Sequence, residues 1–203
     1  MNKTIKLLIE WDSYEQENPH ANLDEFCRYY LAKQNLSEEN TSANSRGLLL
    51  RTMGRITSAF NLYQRAAMSE TQLPFHDGFY YLNGLAHIGE VRKTDLINYL
   101  LVEYTTGMEA IAKLLYDDFI QTRPDETDGR ARLISLTEKG RQTLAECYKY
   151  MAKAGEMIFS EMSEEAIQLC IQQLEAVEKK HSVLAVEVKG KSFEEMYNYI
   201  KNH

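Results

Sequence analysis

Between Glu103 and Gly140 the chain reads EYTTGMEAIAKLLYDDFIQTRPDETDGRARLISLTEKG, and its hydrophobic period changes there twice within 38 residues. Gly107, Ala110, Ile111 and Leu114 fall at i, i+3, i+4 and i+7, which predicts a helix with one apolar stripe. Thr105 and Thr106 open it, and Glu103 ahead of them suits a helix N-terminus, whose free N–H groups take acceptors and negative charge. Residues 119–123 and 131–135 are short and β-branched or apolar, with Pro124 and Gly129 between them, the pattern of a β-hairpin with a charged tip. Thr137 and Glu138 then start a long helix. Helix, hairpin and helix in such close order leave few ways to build a common core, and the rest of the chain has to supply its cover.

A helix with a free polar face, followed at once by a hairpin carrying Arg123, Arg130 and Arg132, is the plan of a winged helix. The run from Arg123 to Gly140 resembles the wing signature of the MarR (multiple antibiotic resistance regulator) family of bacterial transcription factors. In that signature an Asp, one residue and an Arg are followed by Leu-Thr-x-x-Gly, matched here by Asp128, Arg130, Leu136, Thr137 and Gly140. As an order of elements the resemblance covers residues 46–181. It implies a mostly α fold with a small β-hairpin, a winged helix-turn-helix flanked by long dimerisation helices, and a homodimer acting on double-stranded DNA with a pseudo-palindromic operator. Thr105 and Thr106 match hydroxyl residues that relatives use at the major groove; Glu109 can accept from cytosine N4 and Lys113 can reach phosphate. Met108 and Ala112 fall on the same outer face. Arg130 takes the place of the minor-groove Arg, with Arg123 and Arg132 beside it on the hairpin and Asp128 as support for the wing. Small aromatic anions are common effectors in relatives, and Phe60, Tyr63, Phe79 and Tyr80 are the residues expected to line such a site. Two positions depart from the pattern. Gly107 stands where relatives place a branched residue, and Asp118 where they end the helix with Gly.

Four segments follow from the patterning. Residues 1–45 form an acidic extension, with eight Asp or Glu against four Lys or Arg, two short helical patterns and a polar linker at 37–45. Asn22 and Glu25 read as a capping box for the second pattern, whose apolar face is Leu23, Phe26, Cys27, Tyr30 and Leu31. Residues 46–71 hold the first dimerisation helix, where Leu49, Met53, Ile56, Phe60, Tyr63 and Ala67 make a heptad seam and Arg46, Arg51, Arg55 and Arg65 a basic face. Such a charge run is usually a solvated face, with DNA backbone contact or partner pairing as the alternatives. Residues 72–137 are the winged helix-turn-helix: Asp77 caps a helix ending at Gly89, Val91 and Arg92 give a minimal strand, and Thr94 caps a short helix before the turn at 101–103. Residues 138–203 hold two further long helices and a short one introduced by Ser192 and Glu195 as a capping box.

Chemistry other than binding finds little support. The five His residues lack metal-ligand spacing, no phosphate-cradling Gly motif is present, and adjacent Asp117 and Asp118 cannot face each other as a catalytic pair. No catalytic residue, metal or cofactor is therefore expected. Cys27, Cys147 and Cys170 are widely spaced and odd in number, which speaks against a disulfide framework; Cys27, followed by Arg28, Tyr29 and Tyr30, resembles the N-terminal peroxide-sensing Cys of some relatives, although Cys on an apolar face is more often core. There is no run of 18 apolar residues, and the expectation is a cytoplasmic protein without membrane contact. Net charge is −7, and residues 91–137 carry six basic and eight acidic side chains, so the reading module is itself acidic. The alternative to a DNA-binding regulator is a winged-helix sensor or protein-interaction module that has lost DNA.

Overall fold

The structure is a computed structural model that describes residues 2–35, 42–128 and 131–203. Two compact units divide it, residues 1–55 and 56–203.

In the first unit, α1 (Lys3–Glu17) and α2 (Leu23–Asn35) form a helical hairpin. The expected capping box is present: the Asn22 side chain accepts from the Glu25 N–H at 3.0 Å, and the Glu25 carboxylate accepts from the Asn22 N–H at 3.0 Å. Phe26 is the buried residue of the pair, edge-on to Trp11 at 4.8 Å, with Tyr14 stacked on Tyr29 at 4.5 Å. Ring contacts thus choose the buried face of α2, and Leu23, Leu31 and Cys27, expected on it, point to solvent. Lys33 closes the hairpin on Glu10 at 2.6 Å. α3 (Ser42–Ser69) begins inside the stretch read as a linker, because SANSR holds no residue that breaks a helix; residues 36–41 of that linker lie outside the described residues. This helix runs from one unit into the other.

The second unit is built around α4 (Gly78–Ile88), β1 (Val91–Arg92), α5 (Lys93–Tyr99), α6 (Tyr104–Tyr116), β2 (Ile120–Pro124) and β3 (Arg132–Leu136). The three strands make an antiparallel sheet in the order β1-β3-β2, with Val91 opposite Ile134 and Thr122 opposite the same residue on the other side. Each hairpin strand lies one residue later than its apolar run suggests, because Asp118 and Phe119 are used to end α6. Leu82, Leu96, Ile97, Ile111, Leu114, Phe119, Ile120 and Ile134 are almost fully buried together, one contiguous core under the sheet and three helices. Burial of side chains of this size contributes roughly 1.5–3 kcal/mol each. Gln64 of α3 is buried too, and its amide donates to the His76 carbonyl at 2.9 Å, which ties the end of α3 to the connection ahead of α4.

α7 (Glu138–Phe159), α8 (Glu164–Glu187) and α9 (Phe193–Lys201) complete the chain. Thr137 caps α7 by accepting from the Gly140 N–H at 3.0 Å, Ser163 caps α8, and Ser192 with Glu195 forms the capping box of α9. Two expected caps are absent. Asp77 occupies the N-cap position of α4 in a helical backbone conformation and makes no side-chain cap hydrogen bond, and Thr94 lies inside α5, whose N-cap position is Arg92. Among the described residues no helix is long and apolar enough to cross a membrane.

Candidate nucleic-acid interface

α6 is the element that every neighbour positions. At its start, α5 ends in a Schellman turn: Val102 N–H donates to the Ile97 carbonyl at 3.3 Å and Leu101 N–H to the Asn98 carbonyl at 3.1 Å, with Leu101 at φ +53°. At its end the same motif recurs, with Phe119 N–H on the Leu114 carbonyl at 2.9 Å, Asp118 N–H on the Leu115 carbonyl at 3.3 Å and Asp118 at φ +59°. A non-Gly residue in this conformation costs about 1–2 kcal/mol, which the buried Phe119 and Leu114 side chains on either side of Asp118 offset. The departure at Gly107 also has a packing cause. A Cβ there would stand 2.5 Å from Ile97 Cγ1 and 2.9 Å from its Cδ1, so the glycine lets α5 and α6 approach closely.

With Gly107, Ile111 and Leu114 buried, the outward face of α6 comprises Tyr104, Thr105, Thr106, Glu109, Ala112 and Lys113. Met108, expected on that face, packs partly buried against the core instead, beside buried Gly107 and Ile111. Lys113 does not extend freely: its ammonium donates to the Pro74 carbonyl at 3.0 Å and lies 5.5 Å from the Phe75 ring centre. Thr106, Glu109 and Lys113 share an open cavity of about 260 Å³ with Phe75, Asp77 and Tyr81. Hydroxyl, carboxylate and ammonium therefore sit together on one exposed surface able to donate and accept hydrogen bonds.

The hairpin is held by two sets of ion pairs that sequence reasoning missed. Arg123 presents Nε and Nη2 to the Glu90 carboxylate at 2.5–2.9 Å, which makes it a fork on a carboxylate at the end of α4 rather than a free phosphate ligand. Arg92 Nη2 donates to Asp125 at 3.0 Å and to Asp128 at 3.3 Å. Asp125, nearly buried, also accepts from the Thr127 N–H at 2.9 Å and its hydroxyl at 2.7 Å; these bonds, then Arg92, hold its carboxyl well below the usual carboxylate range. Asp128 was expected to support the wing beside Arg130, and its described carboxylate partner is Arg92; Gly129 and Arg130 lie outside the described residues. Arg132 Nε donates to the Thr122 hydroxyl at 3.1 Å and stays exposed. The signal that could have found these pairs is spacing. Glu90 and Arg92 stand two apart, as do Arg123 and Asp125, and with the two outer strands parallel on either side of β3 both pairs form across it at the same offset of two residues.

Phe79 of the expected effector set is 6% exposed and belongs to the core, edge-on to Tyr80 at 5.5 Å and to Tyr148 at 6.0 Å. Phe60, Tyr63 and Tyr80 are half-buried. An open cleft of about 450 Å³ beside α4 and α7 is lined by others, among them Glu90, Gln121, Arg141 and Tyr148. Cys27 is exposed on α2, and Cys147 is buried in the core, where burial pushes its thiol pKa up.

Residues 82–140 match the family model described as a winged helix DNA-binding domain. Among solved structures the fold is similar to the transcriptional regulator SlyA, at 22% identity and a TM-score of 0.62 over 70% of this chain and 99% of that one. The chain has the MarR winged-helix fold. A SlyA-like transcription regulator from Listeria monocytogenes superposes at a TM-score of 0.63 with 21% identity, covering 70% of this chain and 95% of its own. A mutant MarR from E. coli complexed with operator DNA does so at 0.59 with 14% identity, over 68% and 99%. Each regulator is matched along almost its whole length, and this MarR-fold chain is longer than any of the three. No curated protein matches the chain.

Proposed function

We propose that the protein is a dimeric transcription regulator of the MarR type, with α6 in the major groove and the wing in the adjacent minor groove. The observation that carries this reading is α6 itself: Gly107, Ile111 and Leu114 fix its inner face in the core while Thr105, Thr106 and Glu109 stand exposed on the outer one. Such a helix is held by one side and offers hydroxyl, carboxylate and ammonium groups, with small Ala112 among them, on the other, which is what reading base edges requires. The mutant MarR solved with operator DNA supports the same use of this fold. In this reading residues 72–137 are the DNA-binding module, 46–71 and 138–203 supply the dimer helices, and 1–45 is an appended hairpin and linker. Exposed Ile56 at the start of the second unit, with Ile171 and Val177 on α8, are apolar residues a second copy would cover. An obligate interface of that kind buries above roughly 2,000 Å². Sedimentation at micromolar concentration is expected to give two chains per particle, and a monomer up to the solubility limit refutes the dimer.

The deciding experiment is a salt titration of binding to the promoter of its own operon. Two recognition helices about one turn, roughly 34 Å, apart select a pseudo-palindrome. Arg130→Ala is expected to weaken binding by about 1–3 kcal/mol per site on operators with A·T-rich flanks and to lower the salt slope, whereas Thr106→Ala alters preference among central bases. If Arg130→Ala changes neither affinity nor slope, the wing does not touch DNA. A sensor or interaction module without DNA is the second reading, favoured by one observation: Arg123 and Lys113 spend their charge on Glu90 and the Pro74 carbonyl. For an effector, phenolic acids are the class to test against Phe60, Tyr63, Phe79 and Tyr80; no shift in Tm and no change in DNA affinity removes that part of the proposal.

A further inference from the structure

We propose that Arg92 positions the wing, acting through Asp125 and Asp128 as the link that makes hairpin tip and helix-turn-helix one rigid body. This rests on the reading of the wing as a DNA contact. Arg92 ends β1, pairs with Leu133 of β3 and immediately precedes α5, so its backbone belongs to the sheet and to the helix-turn-helix at once. Its side chain crosses β3 and bonds both Asp125 and Asp128 from one nitrogen. Those two residues bracket the turn that leads into the wing tip. Asp125 N–H donates to the Ala131 carbonyl at 3.0 Å, Ala131 N–H donates to the Asp128 carbonyl at 2.8 Å, and Thr127 folds onto the Asp125 carboxylate. One guanidinium of β1 therefore holds two residues of the turn, beside the tie that Arg123 makes between Glu126 and Glu90.

Charge gives the anchor a second effect. Asp125, Glu126 and Asp128 put three carboxylates at a tip that has to approach phosphate. Arg92 lies between two of them, and Glu126 is met by Arg123 at 3.4 Å. Removing Arg92 takes away the guanidinium that Asp125 and Asp128 share, which loosens the hold of β1 on this turn and adds negative potential where the wing approaches the minor groove. The Thr127 and Ala131 bonds keep the local turn; Arg92 fixes that turn against β1.

The test uses the full chain and three variants, Arg92→Ala, Arg92→Lys and Arg130→Ala. In the free protein, hydrogen exchange at the Thr127 and Ala131 amides is expected to accelerate in Arg92→Ala and to stay near wild type in Arg92→Lys, because a single ammonium can replace the single nitrogen that makes both bonds. On the promoter, hydroxyl-radical footprinting of Arg92→Ala is expected to lose the flanking minor-groove protection and keep the central one, with affinity down about tenfold. The double variant Arg92→Ala/Arg130→Ala should bind no worse than either single one, since both remove the same contact. Unchanged exchange in Arg92→Ala overturns the proposal whatever happens on DNA. Loss of central and flanking protection together, or full additivity with Arg130→Ala, overturns it as well. Accelerated exchange with a wild-type chain that ignores DNA upholds the anchor and refutes the DNA reading instead.

Discussion

Gly140→Ala separates a glycine that the fold requires from one that it merely contains. Gly140 lies in the first turn of α7, where a Cβ would be driven into the backbone carbonyl oxygen of Phe119. That oxygen cannot rotate away as a side chain could, and it already accepts the Thr137 N–H at 3.1 Å with the Thr137 hydroxyl 3.0 Å off. Relief means moving the start of α7 away from β2, which strains the sheet and lengthens those bonds. Overpacking costs about 1–3 kcal/mol and each weakened hydrogen bond about 1, against a helix-propensity gain of at most about 1, so the net loss is about 2–4 kcal/mol. Gly155, in the same helix, has nothing within 4 Å of the site of a Cβ, and Gly155→Ala is expected to gain up to about 1 kcal/mol. Urea unfolding followed by circular dichroism at one fixed protein concentration reads both variants. Should Gly140→Ala prove as stable as Gly155→Ala, α7 is not seated on the Phe119 carbonyl and the packing argument fails.

Asp118→Gly is expected to stabilise the chain by about 1 kcal/mol, visible as a raised urea midpoint, because it relieves a positive φ and removes negative charge from a helix C-terminus. Gly107→Ala is expected to destabilise despite its better propensity, and Ile97→Ala in the same chain should recover part of the loss, giving a favourable coupling of about 1 kcal/mol in a double-mutant cycle; simple additivity counts against the close approach of α5 and α6. Asp125 has a folded pKa below its unfolded value of about 3.9, so its contribution to stability is full at neutral pH and is lost as pH falls below about 4. Asp125→Asn lacks that contribution; its unfolding midpoint should therefore lie below wild type at pH 7 and converge with it in acid, and a constant gap across that range refutes the assignment.

Helix-level features were legible because local chemistry decides them. The capping residues Asn22/Glu25, Thr137 and Ser192/Glu195 act within three or four residues, and each acts as its sequence spacing says. The inner face of α6 was legible for the same reason, as a 3.6-residue period. Two local expectations failed as well, the caps at Asp77 and Thr94, where the backbone conformation and the start of α5 differ; the other failures depended on partners far along the chain. The buried face of α2 is set by Trp11 and Tyr14 of the preceding helix, so Leu23 and Leu31 lost to Phe26 although all are apolar. Gly107 and Gly140 look like poor helix residues until Ile97 and the Phe119 carbonyl are brought beside them. Arg123 reads as a free cation at the wing until Glu90, 33 residues earlier, is placed against it.

The same long-range pairing changes what the acidic balance of the module means. Six basic and eight acidic side chains over residues 91–137 suggest a surface that repels phosphate. Their placement decides otherwise. Asp125 and Asp128 face Arg92, so two of the eight carboxylates are matched inside the hairpin. Asp117 and Asp118 sit at the C-terminal end of α6, a helix length from Thr105 and Thr106. For 13 residues at about 1.5 Å rise that is roughly 20 Å, twice the screening length of about 8–10 Å at physiological salt. Glu103 and Glu109 are the carboxylates left near the reading end, beside the positive end of the α6 dipole. The field at that surface is thus set by a few nearby groups, among them Glu103, Glu109 and Lys113, and not by the sum over the module. For the proposed DNA-binding role the expected behaviour is a shallow salt dependence with intact base discrimination: few phosphates neutralised, and most of the specificity carried by hydroxyl and carboxylate contacts to base edges.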